Sequence, residues 1–172
     1  MKAYPEFAAA WYELGKCHVI TGNPDSASQV FQASFEADPE CLAPLVDLAD
    51  MALRAGRIDE AAVVSGYIVA SNSKAIRAHY ILAWAEHGRG NIALAMESIF
   101  RVQESRDAQK YPRSDYLLGM ILEGRGETEQ AASRFRQFVQ TQPNSPDAWH
   151  LRDLLHSWEQ QGLIPSSVSE PR

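Results

Sequence analysis

Histidine, cysteine and the carboxylates are the residue types from which this chain could build a catalytic or metal centre. His150, Asp153 and His156 fall at successive steps of three. On an α-helix those steps spread them over roughly 120° of the circumference. A metal needs three or four ligands that converge, so none is expected there. His79 and His87 have no partner in the sequence around them, and His18 interrupts an apolar pattern, the setting of a structural histidine. Cys17 lies inside a predicted helix and Cys41 at a predicted helix start, neither with a C-x-x-C partner. They are expected to be free, packed thiols. The glycines stand singly at predicted helix ends rather than in a phosphate-binding loop, and there is no G-x-S-x-G nucleophile motif. The chain is therefore expected to have no catalytic residue, no metal and no cofactor.

Its charge narrows the partners. Sixteen Lys and Arg against 22 Asp and Glu leave a net charge of −6 over 172 residues. Phosphate binding rests on clustered cations that release counterions, so nucleic acid is not expected and a basic partner is favoured. No apolar run approaches the roughly 20 residues of a membrane helix. Met1 to Pro5 has no signal-peptide core. As written, the chain is expected in the cytoplasm; as a piece of a longer secreted or periplasmic protein, its compartment would be set elsewhere.

The elements that must carry any site are set by a repeat. Gly22, Gly56 and Gly90 follow at a step of 34, Gly126 at a step of 36, and an alanine stands five residues after each: Ala27, Ala61, Ala95 and Ala131. In the first copy Trp11, Leu14, Gly15 and His18 mark one face of a helix from Ala8 to Ile20. Gly22 suits its end, Asn23 an N-cap and Pro24 the first position of a second helix reaching Ala37. Ala27, Val30, Phe31 and Phe35 are its inward residues. Later copies repeat the plan with Leu45, Leu48, Ala49 and Ala52, then Ala61, Val64 and Ile68; with Leu82 and Ala83, then Ala95, Ile99 and Val102; and with Leu118, Gly119 and Leu122, then Ala131 and Phe135. The extra two residues near Arg106 to Tyr111 predict a longer loop or an extended helix end before Pro112 restarts the pattern. Ser145-Pro146-Asp147 opens a further helix carrying Trp149, Leu151, Leu154, Leu155 and Trp158, which reads as a cap. The expected organisation is 1–7 as the tail of a preceding repeat, repeats at 8–41, 42–75, 76–111 and 112–145, a capping helix at 146–162 and a loose tail at 163–172. Phase-matching Pro5 to Pro39 is what suggests an array that starts upstream.

This 34-residue period with W-x-x-L-G, Ala, Phe and Pro landmarks resembles the tetratricopeptide repeat. Lys110-Tyr111-Pro112-Arg113 followed by Leu117-Leu118-Gly119 is similar to bacterial arrays of that family. The departures are His18 and Ala52 at an aromatic place, Ser65 at the later one, and Ser73 and Asp107 for proline. The resemblance implies an all-α solenoid, a right-handed superhelix of about four helix pairs, whose first helices line a concave groove. Carried over by position, the groove would hold Tyr12, Lys16, Val46, Asp50, Arg54, Arg77, Tyr80, Trp84, His87, Arg113, Tyr116 and Met120. Aromatics flanked by Arg are what binding hot spots use. The family's clamp for a C-terminal carboxylate is absent: its places hold Tyr12, Lys16, Asp50, Arg77 and Ile81, or Val46, Asp50, Trp84, Arg113 and Leu117. Arg77 and Arg113 would remain for an acidic side chain of a bound segment. The implied function is a non-enzymatic scaffold for a protein or peptide partner. The alternatives are self-association as a homodimer through the uncovered flank of the first repeat, and the scaffold portion of a larger protein whose activity lies elsewhere.

Overall fold

The computed structural model describes residues 7–166. Among them the regular elements are all helical: α1 (Ala8–Ile20), α2 (Pro24–Ala37), α3 (Ala43–Arg54), α4 (Ile58–Ser71), α5 (Ile76–Gly88), α6 (Ile92–Gln103), a 3₁₀ turn (Ala108–Lys110), α7 (Arg113–Gly124), α8 (Thr128–Thr141) and α9 (Pro146–Gln160). This is the all-α, α-solenoid class that the period predicts. The tail of a preceding repeat, apart from Phe7, and the last six residues of the expected loose tail lie outside the described residues. The chain divides after Ser98 into two compact units.

In the first unit each turn between paired helices is made in one way. Gly22 adopts φ +74°, the left-handed conformation that glycine adopts without a Cβ penalty. Gly22 N–H then donates to the Val19 carbonyl at 3.2 Å and Asn23 N–H to the His18 carbonyl at 2.9 Å. Asn23 stands at the predicted N-cap, but its side chain does not cap α2; its amide donates to Thr21 Oγ1 at 3.0 Å. Gly15 lies under the fully buried ring of Phe31, where a Cβ would overlap ring carbons. The small residue thus admits the aromatic that joins α1 to α2, worth roughly 1.5–3 kcal/mol of apolar burial. Ser34 Oγ, also buried, donates to the Ala8 carbonyl at 2.7 Å and ties the same two helices. Further along, Ala49, Ala52, Ala61, Ala62, Ile81 and Ala85 form one core joining α3, α4 and α5.

Three expectations fail in this unit. Leu14, placed inward by the spacing, is 41% exposed, because α1 buries only Ala8 and Gly15 fully and the edge carrying Phe7 and Leu14 faces solvent. His18 is half-buried rather than core. Cys17 and Cys41 are free, as expected, yet exposed rather than packed. Two residues beyond Gly15, Cys17 is turned by about 200° from the buried stripe; Cys41 lies in the connection before α3.

In the second unit, the first helix of the fourth repeat starts one residue later than predicted. Pro112 takes the N-cap place and Arg113 opens α7. Of the two alternatives for the extra residues, the longer connection is the one seen; it runs from α6 to α7 and includes the 3₁₀ turn. Gly119 lies under Phe135 as Gly15 does under Phe31. Ser145 caps α9, accepting from Ala148 N–H at 3.2 Å. α9 buries Ala148, Leu151, Leu155 and Trp158, and the Trp158 ring sits 6.0 Å from Phe135. Trp149 on the same helix is 58% exposed, since it lies about 200° from Leu151 around the helix. Part of the expected tail is held: Ile164 is buried, and Arg136 donates to the Pro165 carbonyl at 2.8 Å and to Glu159 at 2.9 Å.

Candidate functional site

In the first unit, α1, α3 and α5 are the first helices of three consecutive repeats, and polar side chains bond from each to the next. Tyr12 donates its hydroxyl to Asp47. Arg77 Nη1 meets Asp47 at 2.7 Å and its Nη2 meets Asp50 at 3.2 Å; Asp50 also receives Arg54 at 3.1 Å. Burial, then the hydrogen bond and charge of Asp47, push the Tyr12 pKa up to about 12. Burial pulls the Arg77 pKa down, but Asp47 and Asp50 together raise it above its ordinary value, so the guanidinium stays charged. Lys16 lies 4.9 Å from the Tyr12 ring centroid and pairs with Glu13 at 2.5 Å. The Tyr12 ring itself packs 5.7 Å from Phe31.

Tyr80 and Trp84 stand three and seven residues after Arg77, hence on the same stripe of α5. Their rings meet edge-on at 6.4 Å. His87, one turn further, is half-buried, and burial holds its pKa below the ordinary imidazole value. Val46 packs at the rim of the α3–α4–α5 core rather than standing apart as a contact residue.

The second unit repeats the device once. The Arg113 guanidinium lies 5.4 Å over the Tyr116 ring and 3.0 Å from Asp147. Tyr116 packs 5.3 Å from Phe138 and 6.2 Å from Phe135. Burial, then the charge of Asp147, raises its pKa. Met120, one turn on, is half-buried. The tyrosines and Trp84 are half-buried. One expectation changes as a result. Arg77 and Arg113, expected to await an acidic side chain from a bound segment, already meet carboxylates of this chain, because a first-helix arginine reaches the acids of a neighbouring helix.

Models of the tetratricopeptide repeat match residues 1–40 and 21–75, 76–98, and 113–145. The chain belongs to the tetratricopeptide repeat family. The matches leave out residues 99–112, where the two-residue insertion falls, and the register resumes at α7. No curated protein sequence matches the chain. Among solved structures, MamA is similar with a TM-score of 0.74 at 21% identity, over 92% of this chain and 84% of that one. The structure from the functional characterisation of Pseudomonas aeruginosa pilF has a TM-score of 0.77 at 18% identity, over 92% and 71%. YrrB, described as a TPR protein with an unusual peptide-binding site, has a TM-score of 0.69 at 18% identity, over 85% and 74%. At such identities the likeness is one of fold.

Sequence reasoning missed the polar residues that this tetratricopeptide array buries at apolar places of its repeat. His79, at the place of Trp11 and Leu45, is 6% exposed. Expected to be unpartnered, it has Nε2 3.1 Å from the Ser73 carbonyl, while Nδ1 has no hydrogen-bond partner among the described residues. Glu86, at the place of His18 and Ala52, is buried and accepts from Arg89 at 2.9 Å and Asn91 at 2.5 Å. Asp115 occupies the place of His79 in the next repeat and is also buried. The phase itself carried the signal: a charge at a core place needs a partner. Also missed was Asp47, the centre of the Tyr12–Arg77 ladder. A cavity of about 910 Å³ in the first unit, lined by Val19, Leu48, Met51 and Val64 beside Arg54 and Arg57, likewise had no sequence signal.

Proposed function

We propose that the chain is a non-enzymatic protein-interaction scaffold whose first unit takes a peptide or partner segment along the face of α1, α3 and α5. The observation that carries this reading is the bonded ladder Tyr12–Asp47–Arg77–Asp50–Arg54. It holds one face of three successive repeats in a fixed arrangement beside Tyr80 and Trp84, and a preorganised face loses little entropy on binding. Lys16, Arg54 and Arg77 are each paired within the chain. Affinity would therefore come from aromatic surface and hydrogen bonds, with weak dependence on salt. Arg113, Tyr116 and Met120 are the matching residues of the second unit. That a family member of the same fold, YrrB, is described as having a peptide-binding site supports the reading.

The test is selection of peptides from a random display library on the whole chain, followed by affinity measurement on Trp84→Ala and Tyr80→Ala. Loss of a hot-spot aromatic should weaken the selected peptides by about 2 kcal/mol, roughly 30-fold. Unchanged affinity in both variants would remove this face from the function.

A second reading, self-association, is favoured by the exposed apolar edge of α1 that carries Phe7 and Leu14. Sedimentation over a range of concentrations decides it: a constant monomer mass rejects it, and a concentration-dependent dimer lost in Leu14→Lys supports it.

A further inference from the structure

Inside the second unit a cavity of about 430 Å³ opens between Gln103 at the end of α6, the 3₁₀ turn, the start of α7 and the C-terminal half of α8. Two features show how the chain makes room for it. Asp115, 8% exposed, stands at the repeat place held by Trp11 and Leu45 in the first two copies. A large apolar side chain there would occupy space that the short carboxylate leaves open. Ala108 and Gln109, from the 3₁₀ turn in the lengthened connection between α6 and α7, line the cavity. The break in the repeat period therefore supplies a wall.

The charges inside are a matched pair held loosely. Arg134 Nη1 lies 3.3 Å from Asp115 Oδ1, longer than the roughly 2.7–2.9 Å of a tight charge-assisted bond. Gln103 donates to the same Oδ1 at 2.9 Å, so neither bond falls on Oδ2. Burial raises the Asp115 pKa by more than Arg134 and Gln103 lower it, which leaves the carboxylate under-compensated. The carboxamides of Gln109, Gln137 and Gln142 supply donors and acceptors around the pair.

We propose that this cavity binds a small zwitterion of the amino-acid class, its ammonium group on Asp115 and its carboxylate on Arg134. A lone cation would face Arg134 and a lone anion would face Asp115, whereas a zwitterion satisfies both. The volume lies within the roughly 300–1,000 Å³ of small-molecule sites. This site does not depend on the face proposed for the first unit.

The test is calorimetric titration of the whole chain with free L-glutamine, L-leucine and L-lysine, and separately with n-butylamine and butyrate. At least one amino acid should bind with a dissociation constant below roughly 1 mM. The amine and the acid should each bind at least about 10-fold more weakly, the share of one charge-assisted bond. Asp115→Asn and Arg134→Gln should each weaken amino-acid binding by a similar factor, with circular dichroism confirming the fold. Asn keeps the shape of Asp and removes a buried charge; should it fail to fold, Arg134→Gln alone decides. Absence of binding by all three amino acids, equal binding of n-butylamine, or undiminished binding by Arg134→Gln would each overturn the proposal.

Discussion

Gly119→Ala sets two effects of known sign against each other. Alanine favours the interior of α7 by about 1 kcal/mol over glycine. Its Cβ, however, would overlap the ring of Phe135. The ring must withdraw by about 1 Å to reach ordinary contact, as carbon–carbon contacts lie at roughly 3.5–4.0 Å. It has little room to do so: Phe135 is fully buried, with Tyr116 at 6.2 Å and Trp158 at 6.0 Å. Overpacking of this kind costs about 1–3 kcal/mol, so after the helix gain the net loss should be about 0–2 kcal/mol. The chain supplies its own rescue, because the repeats with alanine at this place carry Ser65 and Ile99 where Phe135 stands. Phe135→Ile alone should destabilise by leaving space. The double variant should lose less than the two single losses added, with a coupling of about 1 kcal/mol or more. Urea unfolding followed by tryptophan fluorescence measures it, Trp149 and Trp158 reporting on the second unit. A stabilised Gly119→Ala, or strict additivity in the double variant, would show that the glycine is not there to admit the ring.

Asp115 makes stability depend on pH in a determinate direction. Its folded pKa is raised, so its contribution is fully present below the ordinary carboxylate value near ~3.9 and is lost as pH rises through the folded value. The stability of Asp115→Asn relative to the native chain should therefore grow as pH rises from about 4; a relative decline would mean that Arg134 dominates. Tyr12, raised to about 12, contributes stability that is whole below its ordinary value near ~10 and lost as pH rises through about 12. In Asp47→Asn its midpoint, read by tyrosinate absorbance, should fall but stay above ~10, because burial is the larger cause; no movement would dismiss the hydrogen bond. Arg77→Ala leaves Asp47 and Asp50 without their shared cation. Arg77 is itself partly exposed, so the loss should be about 1 kcal/mol at low salt and shrink in high salt; a salt-independent loss would point to packing instead.

The helices and their turns were legible because they depend on single residues repeated in phase. Gly22 and Gly126 each end a first helix with positive φ, and Ala27, Ala61, Ala95 and Ala131 are all fully buried. The failures come where a neighbour, not the period, decides. Leu14 obeys helical spacing and still faces solvent, for a 3.6-residue pattern cannot say which side of a helix another helix covers. Cys17 is different, because the period itself puts it about 200° from Gly15 and off the buried stripe. The burial of Ile164 depends on Arg136, 28 residues earlier, holding the next residue's carbonyl, a contact with no local sign.

The candidate face divides along the same line. Tyr12, Arg77, Tyr80, Trp84, Arg113 and Tyr116 were named from their places in the repeat, but the ion pairs of Arg77 and Arg113 were not legible there. Asp47 completes the ladder from outside the places that the family pattern marks, and Asp147 does the same for Arg113. A periodic reading treats each repeat as a copy, whereas a salt bridge between first helices belongs to two repeats at once. It shows only when a cation in one copy is set beside the acids of another. That also explains why the residues at apolar places were overlooked. His79, Glu86 and Asp115 look like weak matches when each repeat is scored alone. Their partners Ser73, Arg89 with Asn91, and Gln103 with Arg134 show that the chain replaced apolar contact by hydrogen bonds at those places. Individuality in such an array should therefore be sought first where a polar residue occupies an apolar place, since solvation alone would have removed it.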